Sequence, residues 1–184
     1  MATYVAFLRT VNLGRAHEFP MDDLRRVVTE STEAREVQTY ANTGNLRFTT
    51  ALRSPEHVRA VLEAAFLADR GFEVPTVVFN RTEFAAVVQL VGVLAQAHPG
   101  ALRHHVDLLQ GKLPADVAGL IEAGSSASAT FVVQARAVHS VVHFGSPALV
   151  SQEFCRLLGV TTNRTANVLL AMGQQSRPSR YRGR

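Results

Sequence analysis

Two hydrophobic periods alternate along the first 80 residues, and this alternation constrains the fold more than any other feature of the chain. Thr3–Leu8 is a short apolar run with β-branched and aromatic character, the composition of a buried strand. A polar loop follows from Arg9 to Phe19. Pro20 then opens a helix, with Asp22 and Asp23 at its positive end and Leu24, Val27 and Val28 as its apolar stripe. Glu36–Tyr40 and Asn45–Thr49 read as a second and a third strand, joined by the turn Ala41-Asn42-Thr43-Gly44. Ser54-Pro55-Glu56 combines an N-cap, a proline at the first helical position and an early acid. Val58, Val61, Leu62, Ala65 and Phe66 form the stripe of that helix, and Gly71 lies just beyond its end. Val74–Phe79 is a fourth strand, with Pro75 near its start.

This order, βαββαβ, is the signature of the split βαβ or ferredoxin-like fold. Thr82 and Glu83 then predict the cap of a connecting helix that runs to about Gln96 and breaks at His98-Pro99-Gly100. A weaker second round follows. His105–Leu109 reads as a strand, Pro114–Ala123 as a helix and Gly124–Ser128 as a loop. Thr130–Ala135 and Val138–Phe144 make a hairpin, and Pro147–Leu158 and Thr165–Met172 make helices. That second order is βαββα, with no closing strand in view. The fold class expected is α+β, two tandem ferredoxin-like (α/β plait) units with extra helices. The first unit covers residues 1–80, a connecting helix and loop 81–103, the second unit 104–173, and a disordered basic tail 174–184. The two halves share element order and no residue-level identity.

Composition narrows the setting. The hydrophobic fraction of 47% is enough for a sizeable core. Cys155 is the single cysteine, which excludes an internal disulfide framework and fits a reducing, cytoplasmic compartment. The opening residues carry no basic leader and the apolar run stops at Leu8, so no secretion signal is expected. The richest apolar stretch, Phe84 to Ala97, is interrupted by Gln89, Gly92 and Gln96 and is too short for a membrane span. The net charge of +4 equals the four arginines of residues 177–184, a segment without acids, so the body balances to zero. Basicity belongs to the tail. Lys112 is the only lysine among 19 Lys and Arg residues.

Chemistry concentrates at one place. In a ferredoxin-like sheet the first and third strands are adjacent and antiparallel, so the loop leaving the first lies beside the turn entering the third. That brings Arg9, Asn12, Gly14 and Arg15 close to Asn42, Thr43, Gly44 and Asn45, with the helix at Pro20 starting nearby. Arginine, side-chain amides, glycine and a helix start are the components of an anion site. The same Asn and Gly residues also serve turns for purely conformational reasons, since they tolerate positive φ and bond the backbone.

The residues at this point resemble a known family. Tyr4 through Gly14, then Pro20-Met21 with Leu24, then Thr39 through Phe48 are similar to the bacterial domain of unknown function 1697. That family opens with a strand ending in an Arg-Gly-Ile-Asn-Val-Gly-Gly type loop, follows with a Pro-Met helix start, and has a Thr-Tyr…Ser-Gly-Asn hairpin. Its late Arg-Asn-Trp-Asn-Thr-Val segment is matched by Arg164-Thr165-Ala166-Asn167-Val168. The resemblance implies paired ferredoxin-like units and supplies no activity. It carries over Arg9, Asn12, Gly14, Gly44, Asn45, Arg164 and Asn167 as candidate ligand-binding positions. This chain departs from the pattern at Thr10, Arg15 and Ala166, and has His98-Pro99-Gly100 where the family has an Asn-Pro-Phe element.

Other constellations carry less. In His104-His105-Val106-Asp107, His105 and Asp107 share a strand face and His104 points away, with no third ligand at an informative spacing; no metal is expected. His139 and His143 read as the polar side of a hairpin. Cys155, among apolar helix neighbours, reads as a small core residue. Nucleotide loops, dinucleotide fingerprints and nucleophile elbows are missing, and no cofactor is expected. An RNA-recognition sheet needs aromatics along its first and third strands, and Tyr4 and Phe48 alone are too few. The leading expectation is a binding protein for a small anionic or nucleotide-like ligand, acting as a monomer or homodimer. The alternatives are nucleic-acid binding through Arg177–Arg184, with Tyr181 stacking, and an enzyme with an unrecognised site.

Overall fold

The computed structural model describes residues 1–9, 11–12, 17–145 and 156–175. Within them the elements run β1 (Ala2–Leu8), α1 (Met21–Thr32), β2 (Arg35–Tyr40), β3 (Asn45–Thr50), α2 (Pro55–Arg70), β4 (Thr76–Asn80) and α3 (Arg81–Ala97). The second half continues with β5 (Arg103–Leu109), α4 (Ala115–Ala123), β6 (Ala129–Gln134), β7 (Ala137–Val142), β8 (Thr161–Thr165) and α5 (Ala166–Gln175). The fold is α+β, with two four-stranded antiparallel sheets ordered β2-β3-β1-β4 and β6-β7-β5-β8. β1 lies between β3 and β4, with Phe7 opposite Asn45 and Val77. As a central strand it is buried on both faces, which is why its sequence is a continuous apolar run.

The two faces of the first sheet feed two cores. Tyr4, Ala6 and Leu8 of β1, with Leu46 and Phe48 of β3, pack against Leu24 and Val28 of α1 and Val58, Leu62 and Phe66 of α2. The Tyr4 hydroxyl donates to the Leu52 carbonyl at 3.0 Å. Tyr4 and Phe48 therefore sit under helices, where no base could stack on them. Val5 and Phe7 point the other way. They join Val77 and Phe79 of β4, Phe84, Val87 and Val91 of α3, Leu169 and Met172 of α5, and Val106, Leu108 and Ala137 of the second sheet. This shared core welds the two sheets together. A smaller cluster of Leu109, Ile121, Val138 and Leu158 lies on the far face of the second sheet, under α4.

Several sequence-based expectations need correction. The second sheet has a closing strand after all. β8 reads Thr-Thr-Asn-Arg-Thr, pairs antiparallel with β5 at the sheet edge, and carries no hydrophobic alternation by which it could have been recognised. The cap of α3 is Asn80, not Thr82. Asn80 Oδ1 accepts from the Glu83 amide at 2.9 Å, and Glu83 Oε2 accepts from the Asn80 amide at 3.0 Å, a reciprocal capping box. Pro20 occupies the N-cap of α1 rather than its first turn. β7 is buried along its whole length, so His139 is not on an exposed polar face. The face it shares with Val106 is the one covered by the common core. The helix expected over 147–158 lies mostly outside the described residues, as do Cys155 and residues 176–184; residues 174 and 175, expected to be disordered, close α5.

Among the described residues no helix is long and apolar enough to cross a membrane. Because Asn80 satisfies an α3 amide and Thr82 satisfies none, Asn80→Ala is expected to lose about 1 kcal/mol of stability and Thr82→Ala only a few tenths. Urea denaturation of the two variants beside the wild type measures the difference.

Candidate functional site

The loop after β1 meets the β2–β3 turn, and the contact is made by one side chain. Asn12 sits at φ 57°, a left-handed conformation that asparagine tolerates better than most residues. Its Nδ2 donates to the Asn42 carbonyl at 2.8 Å and to the Phe19 carbonyl at 3.1 Å, while its Oδ1 accepts from the Phe19 amide at 2.8 Å. The Asn12 amide thus pairs with both backbone groups of Phe19 as another peptide unit would. Phe19 is fully buried and packs edge-on against Phe66 at 5.2 Å, so this pairing sets the entry of the chain into α1.

The turn is equally constrained. Gly44 has φ +69°, and a Cβ there would lie 2.6 Å from Val11 Cγ2 and 2.7 Å from Leu8 Cβ. Its carbonyl accepts from the Leu8 amide at 2.8 Å. Only glycine meets both demands. Asn45 is completely buried and donates through Nδ2 to the Tyr40 carbonyl at 2.8 Å and to Thr43 Oγ1 at 2.9 Å.

Its remaining acceptor receives a group from the other half of the molecule. Arg164, on β8, donates Nε to Asn45 Oδ1 at 2.5 Å. Nη1 donates to Thr162 Oγ1 at 2.6 Å and to the Asn163 carbonyl at 2.7 Å. Nη2 donates to the carbonyls of Leu8 and Thr43, both at 2.9 Å. These five bonds use every N–H of the guanidinium, which also lies over the Phe7 ring at 5.7 Å from its centroid. Among the described residues no carboxylate pairs with it. Burial without a counter-charge lowers its pKa to about 10.

The structure therefore gathers Asn12, Asn42, Gly44, Asn45 and Arg164 into one connected network. Arg9 is exposed beside it, held by its amide to the Pro75 carbonyl at 2.9 Å. Gly14 and Arg15 lie outside the described residues. Asn167 stands apart. It is exposed near the start of α5 and lines a different cleft, with Arg103, His98, His104 and His105. On the α1 side the junction opens to a cleft of about 490 Å³ bordered by Asn12, Asn42, Glu18 and Asp22. Sequence reasoning placed Thr43 in the turn without its role as a partner of the arginine, and missed Thr162, which belongs to no recognisable pattern.

The sequence profile described as protein of unknown function (DUF1697) matches residues 1–139, three quarters of the chain, including both segments of the junction in the first half. The chain belongs to the DUF1697 family. Among solved structures this DUF1697 protein is similar to the conserved bacterial protein SP0830 from Streptococcus pneumoniae, with a TM-score of 0.72 and 21% identity over 94% of this chain and 97% of that one. At that identity the likeness is one of fold. No curated protein matches the chain.

The histidines form a second polar group. His104 Nε2 lies 3.1 Å from His139 Nδ1, and His139 is fully buried with its Nε2 lacking a hydrogen-bond partner. Burial, reinforced by His105 and His98, lowers the His104 pKa to about 4; burial and His104 lower that of His139 to about 3. His105 and Asp107 share a face, as their spacing implies, and both meet Asn163 of β8, at 3.3 and 2.9 Å. Among the described residues no group of three or more His, Cys, Asp and Glu could hold a metal ion.

Two predictions follow from these geometries. Arg164→Met removes the Arg164 donor from the buried Asn45 Oδ1 and from the Thr43 carbonyl and is expected to destabilise by about 2–4 kcal/mol; Arg164→Lys, lacking the fork, recovers little. Equilibrium denaturation of both variants measures this. The second concerns pH. Both rings bind protons more weakly folded than unfolded, so stability is full above the unfolded value near 6.5 and falls as pH drops toward the folded values of about 4 and about 3. The loss is expected to be on the order of 3 kcal/mol or more. His139→Leu should flatten the slope between pH 6.5 and 4, read from denaturation midpoints across that range.

Proposed function

We propose that this DUF1697 protein binds a small anionic or nucleotide-like ligand where the loop leaving β1 meets the β2–β3 turn. The observation that carries the reading is the charge of Arg164, half-buried at the junction with all its hydrogen bonds made to neutral acceptors. A half-buried charge without a counter-ion favours an anion close by, because its field is less screened than at the open surface. The Arg164 donors are engaged, so direct bonds to the ligand fall to exposed Arg9 and to Gly14 and Arg15 of the same loop. Asn12, Asn42, Gly44 and Asn45 hold the frame. Glu18 and Asp22 repel an anion from the α1 side and bias it toward Arg9.

The same proposal treats residues 1–80 and 104–173 as two ferredoxin-like units joined by α3. The matching strand orders, each with the first strand of its half between the third and fourth, support that division. A cytoplasmic setting suits a chain with one cysteine.

Thermal unfolding with phosphate, pyrophosphate or adenosine monophosphate at matched ionic strength tests the ligand. At least one is expected to raise the wild-type midpoint by about 2 °C or more. An Arg9→Ala variant should keep the unliganded midpoint and lose the shift. If none of the three stabilises the wild type more than an Arg9→Ala, Asn12→Ala variant, the junction is a structural clasp alone.

A further inference from the structure

A separate cleft of about 460 Å³ opens where the flank of α3 stands over β1 and β3, near the start of β1 and so at the end opposite the junction. We infer that it is a second ligand site, and that it takes a phosphate monoester with a compact apolar body. The volume lies in the range that holds small organic molecules.

Strand register aims one guanidinium into this cleft. Side chains alternate along β3, and Leu46 and Phe48 lie in the core under α1 and α2. Arg47, between them, therefore projects from the other face. Its partner across the sheet is Val5, which packs with Phe84 of α3. Helical spacing aims a second guanidinium. Arg81, Ala85, Val88 and Gly92 recur at intervals of four, three and four, which makes one stripe along α3, and all four line the cleft. Phe84, Val87, Val91 and Leu94 form the buried stripe beside it. Arg81 follows Asn80, whose row in the sheet, through Tyr4, adjoins the row of Val5 and Arg47. Two strand spacings, about 10 Å, separate β3 from β4, so the two long side chains start within reach of one ligand.

Charge and shape select the ligand. No acidic residue joins the two arginines in the lining. Among the described residues Arg81 makes no ion pair and no side-chain hydrogen bond, and it is exposed. Two positive charges carried by different elements suit a dianion, and a planar guanidinium matches phosphate oxygens in bidentate fashion. A monocarboxylate offers one charge, and an amine meets only repulsion. Val5, Phe84, Ala85 and Val88 supply hydrocarbon for the body of the ligand, while Thr3 and Gln89 add neutral hydrogen-bonding groups. A Cβ on Gly92 would meet nothing within 4 Å, so the stripe is open there. A Cβ on Gly173 would fall 2.7 Å from Val88 Cγ1, so α5 meets α3 closely at the margin of the cleft. The space left between them and the sheet suits a compact body.

The probe is phenyl phosphate, titrated into the full chain at constant ionic strength and followed by two-dimensional amide NMR. At about pH 7.5 its phosphate is mostly dianionic. Benzoate, benzyl alcohol and benzylamine serve as comparisons. Phenyl phosphate is expected to give saturable shifts centred on residues 3–5, 47 and 81–92. Benzoate should bind about tenfold more weakly, and the alcohol and the amine should give no shifts. Arg47→Met and Arg81→Met should each weaken phenyl phosphate about tenfold. Arg81 is exposed, so its variant keeps the fold and decides the matter if Arg47→Met does not fold. Gly92→Phe should abolish binding, since its ring enters the open space over the stripe. Arg9→Ala should bind as the wild type does, which separates this site from the junction. Absence of saturable shifts at the cleft overturns the inference, as do shifts confined to residues 8–12 and 42–45. Equal binding of any comparison compound, or undiminished binding in both Arg81→Met and Gly92→Phe, also overturns it.

Discussion

The guanidinium of Arg164 is the constraint on which the arrangement of the two halves turns. It leaves the edge strand of the second sheet and finds carbonyl or amide oxygens at the end of β1, in the β2–β3 turn and on β8 itself. A lysine could satisfy part of this set, but only a planar fork reaches it all at once. The cost is a charge partly withdrawn from water without a carboxylate. Five hydrogen bonds offset much of that cost, yet the charge itself is not cancelled. The same feature makes the residue both a structural clasp and the electrostatic reason to look for an anion beside it.

Around that clasp the packing is continuous. Val5 and Phe7 of the first sheet share a core with Val106, Leu108 and Ala137 of the second, and α3 and α5 complete it. Arg136 strengthens the seam. It is nearly buried, donates to the Leu109 carbonyl at 3.1 Å, lies over the Phe79 ring at 4.6 Å and approaches Glu83, the acid of the α3 capping box, at 3.5 Å. Local capping and long-range assembly therefore use the same carboxylate. The two halves have an interface of domain-core character, and relative motion between them would open apolar surface.

Much of the first half was legible in the sequence. Ser54 caps α2 and Gly71 ends it in the left-handed conformation, as the residue types imply. The meeting of Asn12 with the turn at Asn42 follows from strand order and was readable once that order was seen. The second half was less so. β8 has polar residues throughout, because an edge strand that buries only Thr162 and half-buries Arg164 as a clasp needs no alternating apolar face. His139 read as solvent-facing because a single polar residue in a strand usually is, and nothing local reports that another layer covers it.

The amino-acid sequence by itself determined the elements of the first half, their order and the turn at Gly44, because periodicity, caps and positive φ are properties of short segments. It also marked Arg164 and Asn45 as special without saying that they touch. Tertiary structure decided the rest. It bonded two residues 119 positions apart, buried a histidine pair, and opened a cleft between α3, β1 and β3, because such contacts depend on how whole sheets pack and leave no trace in local pattern.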